Sequence, residues 1–298
     1  MENNSNNKCI VCGSINNKLF LNCTDHFVTQ ESFKIHKCSD CGFAFTADAP
    51  VPDKIGRYYK SEDYISHSNI NKGLVNKLYH IVRNYMLGKK CRMIKGLTDG
   101  RELLDIGCGT GHFLNYMKGK GFTCEGVEIA ESARDFAINN FGLTVNSPDV
   151  FLNEASAEKF DVITLWHVLE HLYNPEEYVS SIYKSLKKDG FLIIALPNCS
   201  SLDAKYYKQY WAAYDTPRHL WHFTPADLEK FLNRSDFSLK KIKRLPFDAY
   251  YNSMMSAKYA GKKCALLDGV FTGLRSNCIS LFCAGKTSSV IYILKKTI

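Results

Sequence analysis

Residues Glu102 to Gly111 read E-L-L-D-I-G-C-G-T-G, an apolar strand running straight into a glycine turn. No other stretch restricts the fold as tightly. Gly107, Gly109 and Gly111 let the backbone turn sharply and approach a bound molecule closely. Seventeen residues beyond the turn, a second strand, G-V-E, ends on Glu128. A carboxylate at that strand tip is suited to receive a ribose diol, as in nucleoside-binding α/β folds. The spacing is G-x-G-x-G with Asp105 two residues before the first glycine, which differs from the dinucleotide pattern.

Around this turn, strand and helix patterns alternate. Strands are expected near 102–106, 122–128, 143–146, 160–166 and 190–196, with helices near 111–119, 130–141 and 175–187. Such alternation implies a parallel sheet with right-handed crossovers. Apolar residues from Leu74 to Tyr85 recur at helical spacing and predict a long amphipathic helix up to about Gly96. Thr224-Pro225-Ala226-Asp227 is a helix start, with a capping Thr, Pro at the first position and an acid three residues on. Phe237–Leu245 and Ser288–Lys296 are the last two strand candidates, and the pattern between 248 and 287 assigns no element. The fold expected is α/β, a Rossmann-like, seven-stranded, mostly parallel sheet preceded by a small module.

Two further blocks lie where ligands bind in open α/β sheets, beyond the carboxyl ends of the strands. Phe160–Leu172 reads F-D-V-I-T-L-W-H-V-L-E-H-L and brings Trp166, His167, Glu170 and His171 to that edge, and the next strand ends in A-L-P-N at Asn198. Tyr206–Phe223 is an insertion rich in aromatics that also carries Asp215, Arg218, His219 and His222. It reads either as the wall of a substrate pocket or as a hydrophobic clip whose polar groups only bond loop carbonyls.

D-I-G-C-G-T-G, G-V-E, H-V-L-E-H and A-L-P-N, in that order over residues 101–245, resemble the class I S-adenosylmethionine (SAM) methyltransferases. The likeness is to the group containing ubiquinone-biosynthesis O-methyltransferases and sugar- or polysaccharide-tailoring methyltransferases. The resemblance implies that Asp105, Gly107, Cys108, Gly109, Gly111 and Glu128 bind SAM. Trp166, His167 and Tyr59 are expected to flank it. An acid near the adenine is not obvious after the third strand, where Asn146-Ser147-Pro148-Asp149 offers only Asp149. Methyl transfer is an in-line displacement at a carbon already activated by sulfonium, so alignment supplies much of the acceleration. An alcohol acceptor also needs a base. His219 or His222 is the expected base, with His171 as rival.

The N-terminal stretch reads C-I-V-C-G-S at Cys9 and C-S-D-C-G-F at Cys38, two C-x-x-C pairs each followed by Gly. Four thiolates from Cys9, Cys12, Cys38 and Cys41 suit a closed tetrahedral zinc site, with Cys23, His26 and His36 as substitute ligands. A module this short needs such a staple. Deoxysugar C-methyltransferases also carry a Cys-rich module before the same domain, but this chain lacks their long C-terminal domain. The expected layout is a zinc-ribbon-like module over 1–48, an aromatic connector or lid over 49–72 carrying Tyr58, Tyr59, Tyr64 and His67, and the methyltransferase domain over 73–298. Cys108, Cys124, Cys199, Cys264, Cys278 and Cys283 read as small buried hydrophobes in a reducing compartment.

The net charge of +8 is uneven: from Lys230 onward thirteen Lys/Arg face three Asp/Glu, against twenty-five and twenty-seven before it. A basic C-terminal third suits RNA, an anionic membrane surface or an acidic substrate, or else is a solvated surface. The Cys-rich stretch Lys8–Thr46 carries four Lys and three acids, too few bases to track phosphates, which argues against an RNA methyltransferase. The intact glycines and acids argue against a non-catalytic binding module. No run of apolar residues reaches membrane-spanning length and the Asn-rich start is not a signal peptide, so the cytoplasm is the default compartment. The acceptor expected is a small molecule or a glycan.

Overall fold

The computed structural model describes residues 8–59, 74–154 and 157–297, excepting the side chains of 74–81. Tyr64 and His67 of the expected lid lie outside these residues. The N-terminal part forms β1 (Asn17–Thr24), β2 (Ser32–Cys38) and β3 (Ala44–Thr46), then the single turn α1 (Pro52–Ile55) and the long α2 (Leu74–Lys95). Strict alternation follows: β4 (Glu102–Ile106), α3 (His112–Lys118), β5 (Thr123–Val127), α4 (Glu131–Phe141), β6 (Thr144–Asn146) and α5 (Pro148–Asn153). It continues as β7 (Phe160–Trp166), α6 (Pro175–Ser185) and β8 (Leu186–Pro197). The insertion holds α7 (Leu202–Tyr207) and β9 (Trp221–His222). The chain ends as α8 (Pro225–Leu232), β10 (Phe237–Arg244), α9 (Pro246–Tyr259), α10 (Ala265–Phe282) and β11 (Ser289–Lys296).

Seven strands make one sheet in the order β10-β11-β8-β7-β4-β5-β6. The β4, β5, β6, β7 and β8 pairings are parallel, and β11 alone runs against both neighbours. The central strands are apolar on both faces because both faces are covered. Leu104, Ile106, Ile163, Leu165, Ile194 and Leu196 enter one buried cluster, while Leu103, Val162, Ile193 and Ala195 enter the other. This is the period-2 alternation of a strand, with a hydrophobic layer on each side. The capping box expected at Thr224 is formed: the Asp227 N–H donates to Thr224 Oγ1 at 3.3 Å, and the Thr224 N–H donates to Asp227 Oδ2 at 3.0 Å.

The second sheet, β1-β2-β3-β9, joins the N-terminal strands to the insertion. Ala44 pairs with His222 and Phe45 with Trp221. Phe43, Phe45, Cys9 and Cys38 are buried in the same cluster as Ile106, Leu165 and Trp221, so the Cys-bearing segment packs onto the large sheet and is braced by it. Tyr58 of the connector is 1% exposed and meets Phe33 of β2 edge-on at 5.6 Å.

The segment without a predicted element is the hairpin of α9 and α10. Its two helices meet through small residues: Ser253, Ser256 and Ala257 on α9, and Gly269, Thr272, Gly273 and Ser276 on α10. A Cβ on Gly269 would stand 2.5 Å from Met254 Cα, so the helices approach as closely as bare backbone permits. Cys108 and Cys124 are buried and Cys199 half-buried, as expected. Cys264, Cys278 and Cys283 are exposed, which corrects the sequence expectation: they lie on or beside α10.

Candidate active site

The glycine turn is held from two sides. Val127 at the end of β5 accepts hydrogen bonds from the N–H groups of Gly107 (2.7 Å) and Cys108 (3.1 Å). Gly107, Gly109 and Gly111 have φ of 73°, 54° and 76°, the left-handed region that side chains disfavour. A Cβ on Gly107 would lie 2.4 Å from Val168 Cγ2, whereas one on Gly109 would meet nothing within 4 Å. Gly109 therefore borders open space, and a ligand can approach its backbone. Glu128 stands directly across: one carboxylate oxygen accepts from the Gly109 N–H at 2.8 Å and the other from the Ala130 N–H at 2.9 Å. Each oxygen keeps a further lone pair for a diol. Cys108 is 9% exposed, and its sulfur sits where a Cβ on Gly126 would come within 2.6 Å. Its side chain fills the space beneath the turn.

Asp105, at 2% exposure, accepts a 2.5 Å hydrogen bond from Thr164 Oγ1 on β7. Burial pushes its carboxyl up to about 7, against the opposing pull of that hydroxyl and of the Lys90 ammonium. Lys90 comes from α2. Burial brings it down to about 8 despite the carboxylates of Asp105 and Asp248, and its Nζ lies 3.7 Å above the centre of the Trp166 ring. Trp166 Nε1 is buried without a hydrogen-bond partner. Of these residues, Asp105 fits an ammonium and the open Gly109 backbone with Glu128 fits a nucleoside diol, while the Trp166 face already carries the Lys90 ammonium. Asp149 is exposed in the first turn of α5, beyond the end of β6.

On the neighbouring edge, His167 has a φ of 58° and lies between two carboxylates, 3.4 Å from Glu170 and 3.2 Å from Asp248. Burial disfavours its charge, but Asp248 and Glu170 outweigh it and push the imidazole up to about 10. Two carboxylates this close favour the protonated imidazole. Glu170 is 1% exposed, and neither of its carboxylate oxygens has a hydrogen-bond partner. Three histidines surround it instead. His219 Nδ1 donates to the Ala213 carbonyl at 2.9 Å, which leaves Nε2 as the lone-pair nitrogen. That Nε2 lies 4.0 Å from Glu170 and 3.9 Å from Asp215. His171 Nδ1 is 3.0 Å from the Arg218 carbonyl and 3.1 Å from the Tyr59 hydroxyl, and burial together with His219 brings it down to about 4. Glu170, His171 and His219 place one ligand atom each within 4.8 Å of one another, a geometry able to hold a metal ion.

A cavity of about 370 Å³ opens beside these groups, lined among others by His167, His219, Asp248, Tyr251, Tyr259 and Phe27. Arg218 fixes one wall. It donates to Asp25 (2.9 Å) and Asp215 (2.6 Å) and to the Tyr58 carbonyl (2.7 Å) while itself 2% exposed. Arg218 is thus the clip that joins the N-terminal module to the insertion. His222, expected as a base, is corrected: it is 4% exposed in β9, faces Thr46 Oγ1 at 3.1 Å, and is held neutral by burial, which lowers it to about 3. The insertion's own aromatics are corrected in part. Tyr207, Trp211 and Tyr214 are buried against Cys23 and Ile35, so they glue the module down rather than wall the cavity. The Tyr59 hydroxyl lies 3.1 Å from His171 Nδ1.

At the N-terminus, Cys9 Sγ lies 3.5 Å from Cys41 Sγ, Cys12 Sγ lies 3.5 Å from Cys38 Sγ, and all four sulfurs fall within 4.8 Å of one another. Each knuckle closes through a glycine N–H: Gly13 donates to the Cys9 carbonyl (2.8 Å) and Gly42 to the Cys38 carbonyl (3.0 Å), both glycines with positive φ. Thiolates about 2.3 Å from a central zinc stand about this far apart, so the cluster fits that ion. The substitute ligands are placed elsewhere: Cys23 is buried against the insertion, His26 stacks on Tyr259 at 4.4 Å, and His36 bonds Asn17.

Sequence reasoning did not find Lys90, Phe27, Asp248, Tyr251 or Tyr259. Pro246, which opens α9 at its first turn, was the one local signal for the last three. Nothing near Lys90 or Phe27 marks them, because tertiary packing alone brings them to the cleft.

The family described as "Methyltransferase domain" matches residues 79–242. Among curated proteins the chain is similar to a ubiquinone biosynthesis O-methyltransferase of Rickettsia bellii, 26% identical over 200 residues that span 62% of this chain and 82% of that protein. Among solved structures it is similar to a SAM-dependent methyltransferase from Archaeoglobus fulgidus, with 23% identity and a TM-score of 0.50, covering 72% of this chain and 94% of that one. It is also similar to phosphoethanolamine N-methyltransferase 2 of Haemonchus contortus in complex with SAM, with 16% identity and a TM-score of 0.51, covering 86% of this chain and 62% of that one. At these identities the solved structures speak for the fold alone.

Proposed function

The chain belongs to this methyltransferase family and is a SAM-dependent methyltransferase, and from that premise we propose that it methylates a hydroxyl of a small molecule or saccharide. The observation that carries the proposal is His219: its proton is fixed on Nδ1 by the Ala213 carbonyl, and Nε2 is left to receive one at the cavity wall. Bound SAM supplies an activated methyl group. The acceptor enters the cavity between Tyr251, Tyr259 and Phe27, His219 Nε2 takes its hydroxyl proton, and Glu170 and Asp215 stabilise the imidazolium so formed. His167, already charged, is left to orient an electron-rich acceptor. The R. bellii relative is named as an O-methyltransferase, which favours oxygen over nitrogen as the acceptor atom. We assign the four N-terminal cysteines to a structural zinc, which would lock the two knuckles that support β3 and, through it, β9.

His219→Ala is expected to lower kcat by about two to three orders of magnitude while leaving SAM affinity within about twofold. His222→Ala should instead lower the melting temperature and leave the pH dependence of kcat unchanged. Native turnover in His219→Ala, measured against the panel of hydroxylated acceptors that first reveals activity, would sink the assignment of the base.

Asp105 gives a second test. Its carboxyl is raised to about 7, so it carries charge above that pH and loses it below. SAM affinity, followed by calorimetry, should fall up to about tenfold as pH drops through neutrality. Asp105→Asn should bind weakly with no such pH dependence. An unaltered pH profile in that variant would remove Asp105 from SAM binding.

A further inference from the structure

Helix α10 is amphipathic in the wrong sense for a surface helix. Its buried face consists of Gly269, Thr272, Gly273, Ser276 and Ser280, set against α9. Its outward face carries Leu267, Val270, Phe271, Leu274, Leu281 and Phe282, all exposed, Leu267 by 70% and Phe282 by 93%. At about 100° per residue these six side chains fall within roughly 120° of arc, one continuous stripe along the helix. A contiguous apolar stripe of this kind marks an interaction surface.

The charges around the stripe decide what covers it. From residue 258 to 286 the bases are Lys258, Lys262, Lys263, Arg275 and Lys286, every one exposed, and the single acid is Asp268. Asp268 is already occupied by the hydroxyls of Tyr206 (3.2 Å) and Tyr207 (2.8 Å). Lys262 and Lys263 flank one end of the stripe and Lys286 the other. If a second copy packed its own stripe here, the two sets of bases would crowd the rim of one dry interface, and like charges so placed oppose association. An anionic lipid surface satisfies both features, with headgroups meeting the bases while the acyl boundary receives the Leu and Phe side chains. No helix among the described residues is long and apolar enough to cross a membrane, so α10 would lie in the plane of the surface.

We propose that α10 is an interfacial anchor that docks this enzyme, through its Leu/Phe stripe and basic rim, on an anionic membrane surface. The proposal is independent of the acceptor and of the base.

The zinc-loaded full chain is mixed with phosphatidylcholine vesicles with and without about a third of phosphatidylglycerol, and bound protein is measured by sedimentation. Binding is expected only to the anionic vesicles, and to weaken as salt rises. Leu267→Ser/Phe271→Ser/Phe282→Ser and Lys262→Glu/Lys263→Glu should each reduce it at least about tenfold, with melting temperature and SAM affinity unchanged, since all five side chains are exposed. Phe271→Trp should be quenched by lipids brominated on the acyl chains. Absence of binding by the native chain would overturn the proposal, as would binding that survives the triple substitution. A dimer that the triple variant abolishes, with no vesicle binding by the native chain, would assign the stripe to a second copy instead.

Discussion

Glu128→Ala is expected to weaken SAM binding by about a hundredfold, as read by calorimetry. In the structure the carboxylate spans Gly109 and Ala130 through two backbone hydrogen bonds, and bound SAM would add its ribose hydroxyls to the same oxygens. Hydrogen bonds to a charged acceptor contribute about 1.5–3 kcal/mol each, and about 2.7 kcal/mol corresponds to a hundredfold in affinity. Part of the loss would come from the loosened turn, because Gly109 also loses a partner. Glu128→Gln separates the two effects. It keeps one acceptor oxygen, so a loss nearer tenfold is expected. Equal affinity in native and Glu128→Ala proteins would show that the nucleoside binds elsewhere.

The second large effect is predicted for the cysteines. Cys9→Ser/Cys12→Ser should remove one bound zinc per chain and depress turnover by about two orders of magnitude or more, while SAM affinity changes less than about threefold. A structural zinc contributes roughly 10–16 kcal/mol to the fold of a small module, far more than the short strands around it can replace. Once β3 is lost, β9 has no partner, and Arg218 loses Asp25. The wall that carries His219 then has nothing to hold it. The glycine turn is tied to β5 of the large sheet instead, so the SAM half should persist. Metal content by mass spectrometry, turnover and SAM calorimetry on the same sample check all three statements. Full activity in a zinc-free variant would show that the module is not needed to shape the acceptor cavity.

The large sheet was legible because its physics is local. Strands covered on both faces are largely apolar runs, and β4, β7 and the apolar part of β8 lie where such runs predict them. The cofactor cleft was readable for a related reason, since only glycine tolerates φ near 70° at Gly107 against Val168. The acceptor side was not. His219 and His222 are three residues apart, and no periodicity tells which faces the cavity and which lies in β9. Helices α9 and α10 escaped for a different reason. Pattern reading takes large apolar residues as the inner face, but here Gly, Ser and Thr are inside and Leu and Phe outside. Lys90 and Phe27 come to the cleft from distant segments.

The shared sheet bears on how this protein is made. Thr46 and His222 touch across 176 residues of sequence. At roughly 5–20 residues per second, β3 leaves the ribosome some 10–35 s before β9 exists to cover it. Throughout that interval the nascent chain presents a bare strand edge beside buried-type side chains such as Phe43 and Phe45, a template for mispairing. Fragments that stop short of Trp221 inherit the same bare edge for good. Soluble expression should therefore fail for N-terminal pieces that stop short of Trp221, and longer pieces that stop short of β11 should fail as well, because β8 then keeps a bare edge of its own.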